Sequence, residues 1–236
     1  MDIMNKAGVD PTTIKTWDDY VEAGKVVKEK TGIYMTSVET SSQFVYTAMV
    51  AQQKADMVRD DESILSEEAS VTAVQTLQDM VYKDKIAKTA EGGHQDTEEY
   101  YAAFNKGKYA SVVMPAWYMS RMVSFMPKLS EKIKIQGLPI FKEGDLRSAG
   151  LGGTATVVTN QAHDKDLLKK FVVESKASEE GSIKTWTILG FDPIRSDVWL
   201  SPEMEKPNKY TDYFGADIFK QMAVLKDEVG TLSFTH

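Results

Sequence analysis

Cysteine is absent from the 236 residues, which excludes disulfides, thiolate metal sites and cysteine nucleophiles. That absence suits a reducing cytoplasm or a bacterial exterior whose proteins avoid thiols, and does not choose between them. Histidine is almost as scarce. His94, His163 and His236 lie far apart in polar stretches, without H-x-x-x-H or H-E-x-x-H spacing, which argues against a histidine metal centre. No run approaches the roughly 20 apolar residues that span a bilayer. The opening Met1 to Asp10 lacks the basic and apolar regions of an export signal. Positive charge is not in excess either: 28 Lys and Arg against 35 Asp and Glu leave a net −7, with the lysines interleaved among acids. A nucleic-acid partner is therefore not expected, since phosphate binding rests on clustered cations.

Catalytic signatures are missing as well. There is no Gly-x-Ser-x-Gly elbow. The carboxylate pairs Asp18/Asp19, Glu67/Glu68, Glu98/Glu99 and Glu179/Glu180 fall in the first turns of expected helices, where the helix dipole accounts for them. Neighbours on a helix cannot face each other across a cleft, as a glycosidase pair must. Arg59-Asp-Asp-Glu62 lacks the spacing of a calcium loop and reads as a solvated turn. Gly150-Leu-Gly-Gly precedes a strand-like run, the reverse of the order in a nucleotide-binding loop. No catalytic constellation, cofactor or metal is expected.

What the chain does have is strand-like and helix-like stretches in alternation, which favours a layered α/β fold with a mixed sheet flanked by helices. Its central stretch is Tyr109 to Met122. Tyr109 to Met114 reads as a buried strand that Pro115 stops, and Met119, Met122 and Val123 follow at helical spacing. Trp117 and Tyr118 then sit where a strand end meets a helix start, the place where ligands bind in open α/β sheets. Adjacent aromatics there suit the apolar face of a sugar ring; packing in the core is an equally good account of Trp117.

Other elements follow from the same signals. Thr16 with Asp19 caps a helix whose Trp17, Tyr20, Val21, Gly24 and Val27 share a face, ended by Gly32. Ile33 to Val38 reads as a strand leaving through Glu39-Thr-Ser-Ser-Gln43 into a helix with Phe44, Val45, Ala48 and Met49. A helix from Ser66 or Ser70 should turn Val71, Val74, Leu77 and Val81 to the core. Thr97 to Gly107 is a further helix, and Ile133 to Leu138 and Thr154 to Thr159 are further strands. Helices are expected at Leu167 to Val172, after Ser178 with Gly190 as stop, and at about 215–229 with Ile218, Met222, Leu225 and Val229 on one side.

The residues left for recognition are aromatic and small polar groups at junctions: Ser41, Gln43 and Phe44, Trp117 and Tyr118, Gly152, Gly153 and Thr154, Trp186, and Asp192 with Arg195. Flat rings against C–H faces, with charged or amide groups taking hydroxyls, suit sugar binding better than acid–base work. Trp186 lies beside Ile183 and Leu189 and reads more readily as core. An ion pair with Asp192 or Asp197 is an even alternative for Arg195.

Ala7-Gly-Val-Asp-Pro11, Lys15-Thr-Trp-Asp-Asp19, Ala103-Phe-Asn-Lys-Gly107, Met114-Pro-Ala-Trp-Tyr118, Gly152-Gly-Thr154 and Leu189-Gly-Phe-Asp-Pro-Ile-Arg195 together resemble the sugar-binding proteins of bacterial ABC importers. The chain is similar to the arabinose or arabino-oligosaccharide branch of extracellular solute-binding proteins family 1, and distantly to maltose-binding protein. The resemblance implies a periplasmic-binding-protein-like type II lobe and a non-catalytic receptor. Such a receptor closes on a mono- or oligosaccharide and delivers it to ABC permease subunits. It also implies that Trp117 takes the place of the tryptophan in the family's Gly-Pro-Trp motif, here with a residue inserted after the proline. Relatives are longer and open with a lipoprotein signal, so the full-length protein is expected outside the cell, lipoprotein-anchored or periplasmic. On this view residues 1–236 are a truncated chain, mainly the second, C-terminal lobe. Segment 160–200 would supply helices that pack on the first lobe. A fragment of a carbohydrate-active hydrolase and a protein-interaction module are the alternatives.

Overall fold

The computed structural model describes residues 1–150, 153 and 155–233. Its first helices are Asp2–Ala7 (α1) and Trp17–Thr31 (α2), followed by strand Thr36–Val38 (β1) and helix Phe44–Gln52 (α3). A hairpin of Val58–Arg59 (β2) and Glu62–Ser63 (β3) precedes helix Glu68–Tyr82 (α4), strand Ala87–Thr89 (β4) and helices Glu98–Asn105 (α5) and Met119–Phe125 (α6). Strand Ser148–Ala149 (β5), helices Lys165–Val172 (α7), Glu179–Lys184 (α8), Lys209–Phe214 (α9) and Ile218–Ala223 (α10), and strand Val229–Gly230 (β6) complete the chain. This is the α/β class expected.

The caps are those the residues announce. The Thr16 hydroxyl accepts from Asp19 N–H at 3.1 Å while the Asp19 carboxylate accepts from Thr16 N–H at 2.9 Å, a reciprocal box that satisfies two free donors of α2. Trp17, Tyr20, Gly24 and Val27 are its buried face. Gln52 is buried at the end of α3; its oxygen accepts from Trp17 Nε1 at 3.0 Å and its nitrogen donates to Pro139 O at 2.7 Å. One amide thus joins α2, α3 and the segment before β5, with its hydrogen-bonding capacity satisfied as burial requires.

Strand pairing positions the site. β1 pairs in parallel with β4, Thr36 opposite Ala87 through Val38 opposite Thr89. Just before β1, Tyr34 bridges Tyr109 in parallel, and Ala110 and Ser111 donate to Tyr34 O and Met35 O at 2.9 and 2.8 Å. Three segments running the same way release their carboxyl ends at one edge. The expected strand Tyr109 to Met114 forms only its first pairs before Pro115, which has no N–H to give a ladder.

Several expectations are corrected. Ile133 to Leu138 belongs to no strand ladder, and residues 155–159 form no strand because none of the described segments pairs with them. The last helix is short, Ile218–Ala223. On α4 Leu77 and Val81 pack partly buried against the core as read, but Val71 and Val74 are exposed, and the fully buried residues are Ser70, Ala73 and Met80. The small side chains let α4 approach α3 closely. α7 forms as a helix without a buried residue, its Phe171 exposed by 65%.

Two local sites carry predictions. Glu91 lies among Lys88 Nζ at 2.8 Å, Tyr109 Oη at 2.6 Å and Lys108 Nζ at 3.5 Å. Burial works against its charge, but the hydrogen bonds from Lys88 and Tyr109 prevail and hold its carboxyl down at about 2, from an ordinary 4.5. A carboxylate with a depressed folded-state pKa contributes stability above its unfolded pKa, and that contribution fades as pH falls from about 5 toward 2. Glu91→Gln should therefore cost about 1–2 kcal/mol at neutral pH and flatten the fall in stability over that window, read by urea unfolding at a series of pH values. No change in the slope would refute the assignment.

Gly190 ends the helical run after α8 at φ +75°, and a Cβ there would stand 2.4 Å from Cζ of the buried Tyr210. Left-handed strain and overlap with a packed ring act together, so Gly190→Ala should lower unfolding free energy by roughly 2 kcal/mol. Thermal melting checks it; an unchanged midpoint would mean that the ring moves aside freely.

Candidate functional site

Three junctions meet at the edge where the parallel segments end: residues 39–43 between β1 and α3, 90–97 between β4 and α5, and 112–118 before α6. Their backbones are tied together. Ser41 N–H and its hydroxyl both donate to Gly93 O at 3.0 Å, and Thr40 N–H joins them at 2.9 Å. The Glu39 side chain is 3% exposed and accepts from Phe44 N–H at 3.2 Å and Gln95 N–H at 3.1 Å, so one carboxylate holds the start of α3 and the second junction at once. Gln95 is buried and donates to Ser37 O and Oγ at 3.0 and 2.8 Å. Tyr118 then donates to Gln95 O at 2.7 Å, which brings in the third junction. Burial pushes the Tyr118 phenol up, so it stays a neutral donor.

On this base stands an aromatic set with one ring from each junction. Phe44 meets His94 at 5.5 Å and 84°, and Trp117 at 6.0 Å and 74°, both edge-to-face. His94 Nδ1 accepts from Asp96 N–H at 2.7 Å, which fixes the imidazole against its own loop. Trp117 is half-buried, and Arg121 Cζ lies 5.5 Å from the centre of its indole. Arg121 Nε donates to Asp96 Oδ1 at 3.0 Å, and Tyr101 donates to the same oxygen. Burial and that carboxylate push the Tyr101 phenol up. The edge offers a partly exposed indole, two further rings and a guanidinium, with buried carboxylate and amide beneath.

Of the residues singled out in the sequence, Ser41, Gln43, Phe44, Trp117 and Tyr118 come together here. Ser41 and Gln43 are exposed, the latter at the start of α3. Tyr118 is buried with its hydroxyl turned inward, so it supports Trp117 rather than presenting a face of its own. Trp186 is fully buried, donates from Nε1 to Met204 O at 3.1 Å and packs on Tyr210 and Phe219. The expectation of Trp186 as a ligand platform is corrected; it is core in this chain. Arg195 forms the ion pair weighed for it, its Nε and Nη2 bonding Asp197 at 3.0 and 2.5 Å and its Nη1 reaching Ala177 O at 3.4 Å. Asp192 is exposed on the same loop. Gly153 is exposed with open space at its Cβ position, and Gly152 and Thr154 lie outside the described residues.

Sequence reasoning missed His94 and Asp96 as site members, along with Glu39 and Arg121. The missing signal is β4, only three residues with a lysine at its centre, which conceals the second junction. A cavity of about 160 Å³ between Trp199, Leu200, Met204, Glu205, Phe219 and Lys220 includes none of these residues. It is smaller than the roughly 300 Å³ at which small-molecule sites begin.

The family model of bacterial extracellular solute-binding proteins matches residues 1–178. The arabinooligosaccharide-binding protein of Bacillus subtilis (strain 168) is 48% identical over 235 residues, which cover 98% of this chain and 54% of that protein. The arabinooligosaccharide-binding protein of Halalkalibacterium halodurans is 43% identical, over 99% of this chain and 53% of its own length. The chain thus spans about half the length of these curated relatives. Among solved structures, the ABC transporter associated binding protein from B. animalis subsp. lactis Bl-04 in complex with beta-1,6-galactobiose matches at a TM-score of 0.76 and 21% identity, over 97% of this chain and 58% of its own. At that identity the match speaks for the fold.

Proposed function

The chain belongs to the bacterial extracellular solute-binding proteins, and on that premise we propose that it carries one wall of a sugar site. It would serve the receptor component of an ABC importer that takes arabino-oligosaccharides. The observation that carries this reading is the meeting of Phe44, His94 and Trp117 from three junctions at one parallel edge, beside Arg121 and Asp96. A half-buried indole at an edge can stack on the C–H face of a sugar, while guanidinium and hydroxyl groups take its oxygens. Similarity to two proteins named as arabinooligosaccharide-binding supports this sugar class. Binding without turnover fits a site made of rings, hydrogen-bond donors and carboxylates already engaged by backbone or side-chain donors.

On this reading the chain is mainly the second lobe of a two-lobed receptor that works outside the cell, periplasmic or lipoprotein-anchored, and hands its sugar to a permease. The segment 160–200 would pack on the first lobe. Leu167 and Phe171 on α7, both exposed and apolar, support that placement, because a helix with such a stripe ordinarily buries it. A second wall would remove the sugar from water and let ligand favour a closed arrangement.

The test is isothermal titration of the chain with arabinotriose, xylotriose and maltotriose. Saturable binding with arabinotriose preferred is expected, at millimolar strength for one wall. Saturation by none of the three up to solubility would sink the proposal, and preference for maltotriose would replace the sugar class.

A further inference from the structure

The Trp117 face has a neighbour whose chemistry goes beyond stacking. Arg121 stands on the first turn of α6 with its side chain 40% exposed, and Asp96 Oδ1 holds it by Nε alone. The Tyr101 hydroxyl is its other close polar neighbour, so the fork is only partly engaged by the protein. The same Oδ1 takes the Tyr101 hydroxyl, and Asp96 N–H is bound to His94, so the anchor itself is fixed from two directions. A guanidinium held through Nε and lying over an indole, with its side chain partly in solvent, keeps Nη donors at the edge where a ligand would meet Trp117.

The charges are balanced. Arg121 is paired with Asp96 at 3.0 Å, and the nearby Glu39 carboxylate, 3.5 Å from His94, is buried and already bound to two backbone N–H groups. His94 Nδ1 accepts from Asp96 N–H at 2.7 Å, which holds the ring beside these carboxylates. An anionic sugar would meet an arginine whose charge is matched and a second carboxylate behind it, whereas a neutral sugar would use the donors without that repulsion.

We propose that Arg121 is a ligand-contacting residue that donates its two Nη groups to oxygens of the sugar stacked on Trp117, and that Asp96 positions it and sets a preference for neutral over anionic sugars. This rests on the sugar-binding reading above. It adds to that reading the positioning of Arg121 by Asp96 and a charge rule.

The test measures affinity of the chain for arabinotriose and for arabinotrionate, its aldonic acid, with thermal melting of each variant beside it. Arg121→Gln should weaken arabinotriose binding about tenfold or more with little change in melting, the loss expected for charge-assisted hydrogen bonds. Arg121→Lys keeps the charge without the fork and should recover only part of it. Asp96→Asn should narrow the preference for arabinotriose over arabinotrionate at least fivefold, a ratio that a merely structural role would leave unmoved. Binding by Arg121→Gln within twofold of the wild type, while Trp117→Ala loses binding, overturns the Arg121 assignment and leaves the sugar site standing. An unchanged ratio in Asp96→Asn overturns the charge rule. Failure of the unaltered chain to bind arabinotriose overturns both this inference and the reading beneath it.

Discussion

Trp186→Ala lowers the unfolding free energy by about 3–5 kcal/mol, the range for deleting a large buried aromatic. Trp186 is fully buried, with ring centres of Tyr210 and Phe219 at 5.3 and 4.8 Å, and it ties the turn after α8 to α9 and α10. Alanine removes the indole, leaves a cavity among rings that are themselves anchored, and deprives Met204 O of its donor at 3.1 Å. Trp186→Phe keeps most of the volume and loses the hydrogen bond, so it should fall between. Urea unfolding followed by circular dichroism reads all three proteins. A loss below about 1 kcal/mol for alanine would mean that this segment does not pack as described.

The contrast between Trp186 and Trp117 shows what a sequence can and cannot reveal about a site. Both lie on helical turns among apolar neighbours, and their surroundings in the chain differ little. One is sealed by α9 and α10, elements more than twenty residues further on, and the other stands at an edge. Local signals were sound where the physics is local: Thr16 with Asp19, Gly32, Thr97 and Ser178 all cap as their chemistry demands. They failed where pairing decides. Residues 155–159 have strand chemistry and no partner among the described segments, and Ala87–Thr89 is a strand because β1 pairs with it, despite its lysine. The site shows the same division. Aromatics at the first and third junctions were legible; His94 and Asp96 were not, because their place depends on a strand too short to announce itself. On α4 the legible half of the stripe is Leu77 and Val81, which pack on the core, while Ser70 and Ala73 are buried and Val71 and Val74 turn outward.

Trp117→Ala should leave the fold nearly intact and remove sugar binding. The indole is half-buried, its Nε1 holds no protein partner among the described residues, and it packs on Tyr118 at the margin of the core, with Phe44 and the Arg121 guanidinium as its other contacts. Losing it should therefore cost stability only about 1–2 kcal/mol, well below the Trp186 loss, because part of its surface is already in water. For a ligand the balance reverses. The sugar would lose its main apolar contact, and Arg121 would lose the face that limits its orientation, so affinity for arabinotriose should fall at least about thirtyfold, equivalent to roughly 2 kcal/mol. Titration calorimetry and melting read the two effects separately. A large drop in melting with unchanged affinity would return Trp117 to the core and move the site off this edge. Lost affinity with a retained fold would separate a recognition tryptophan from a structural one within a single chain, a distinction that rests on exposure rather than on residue type.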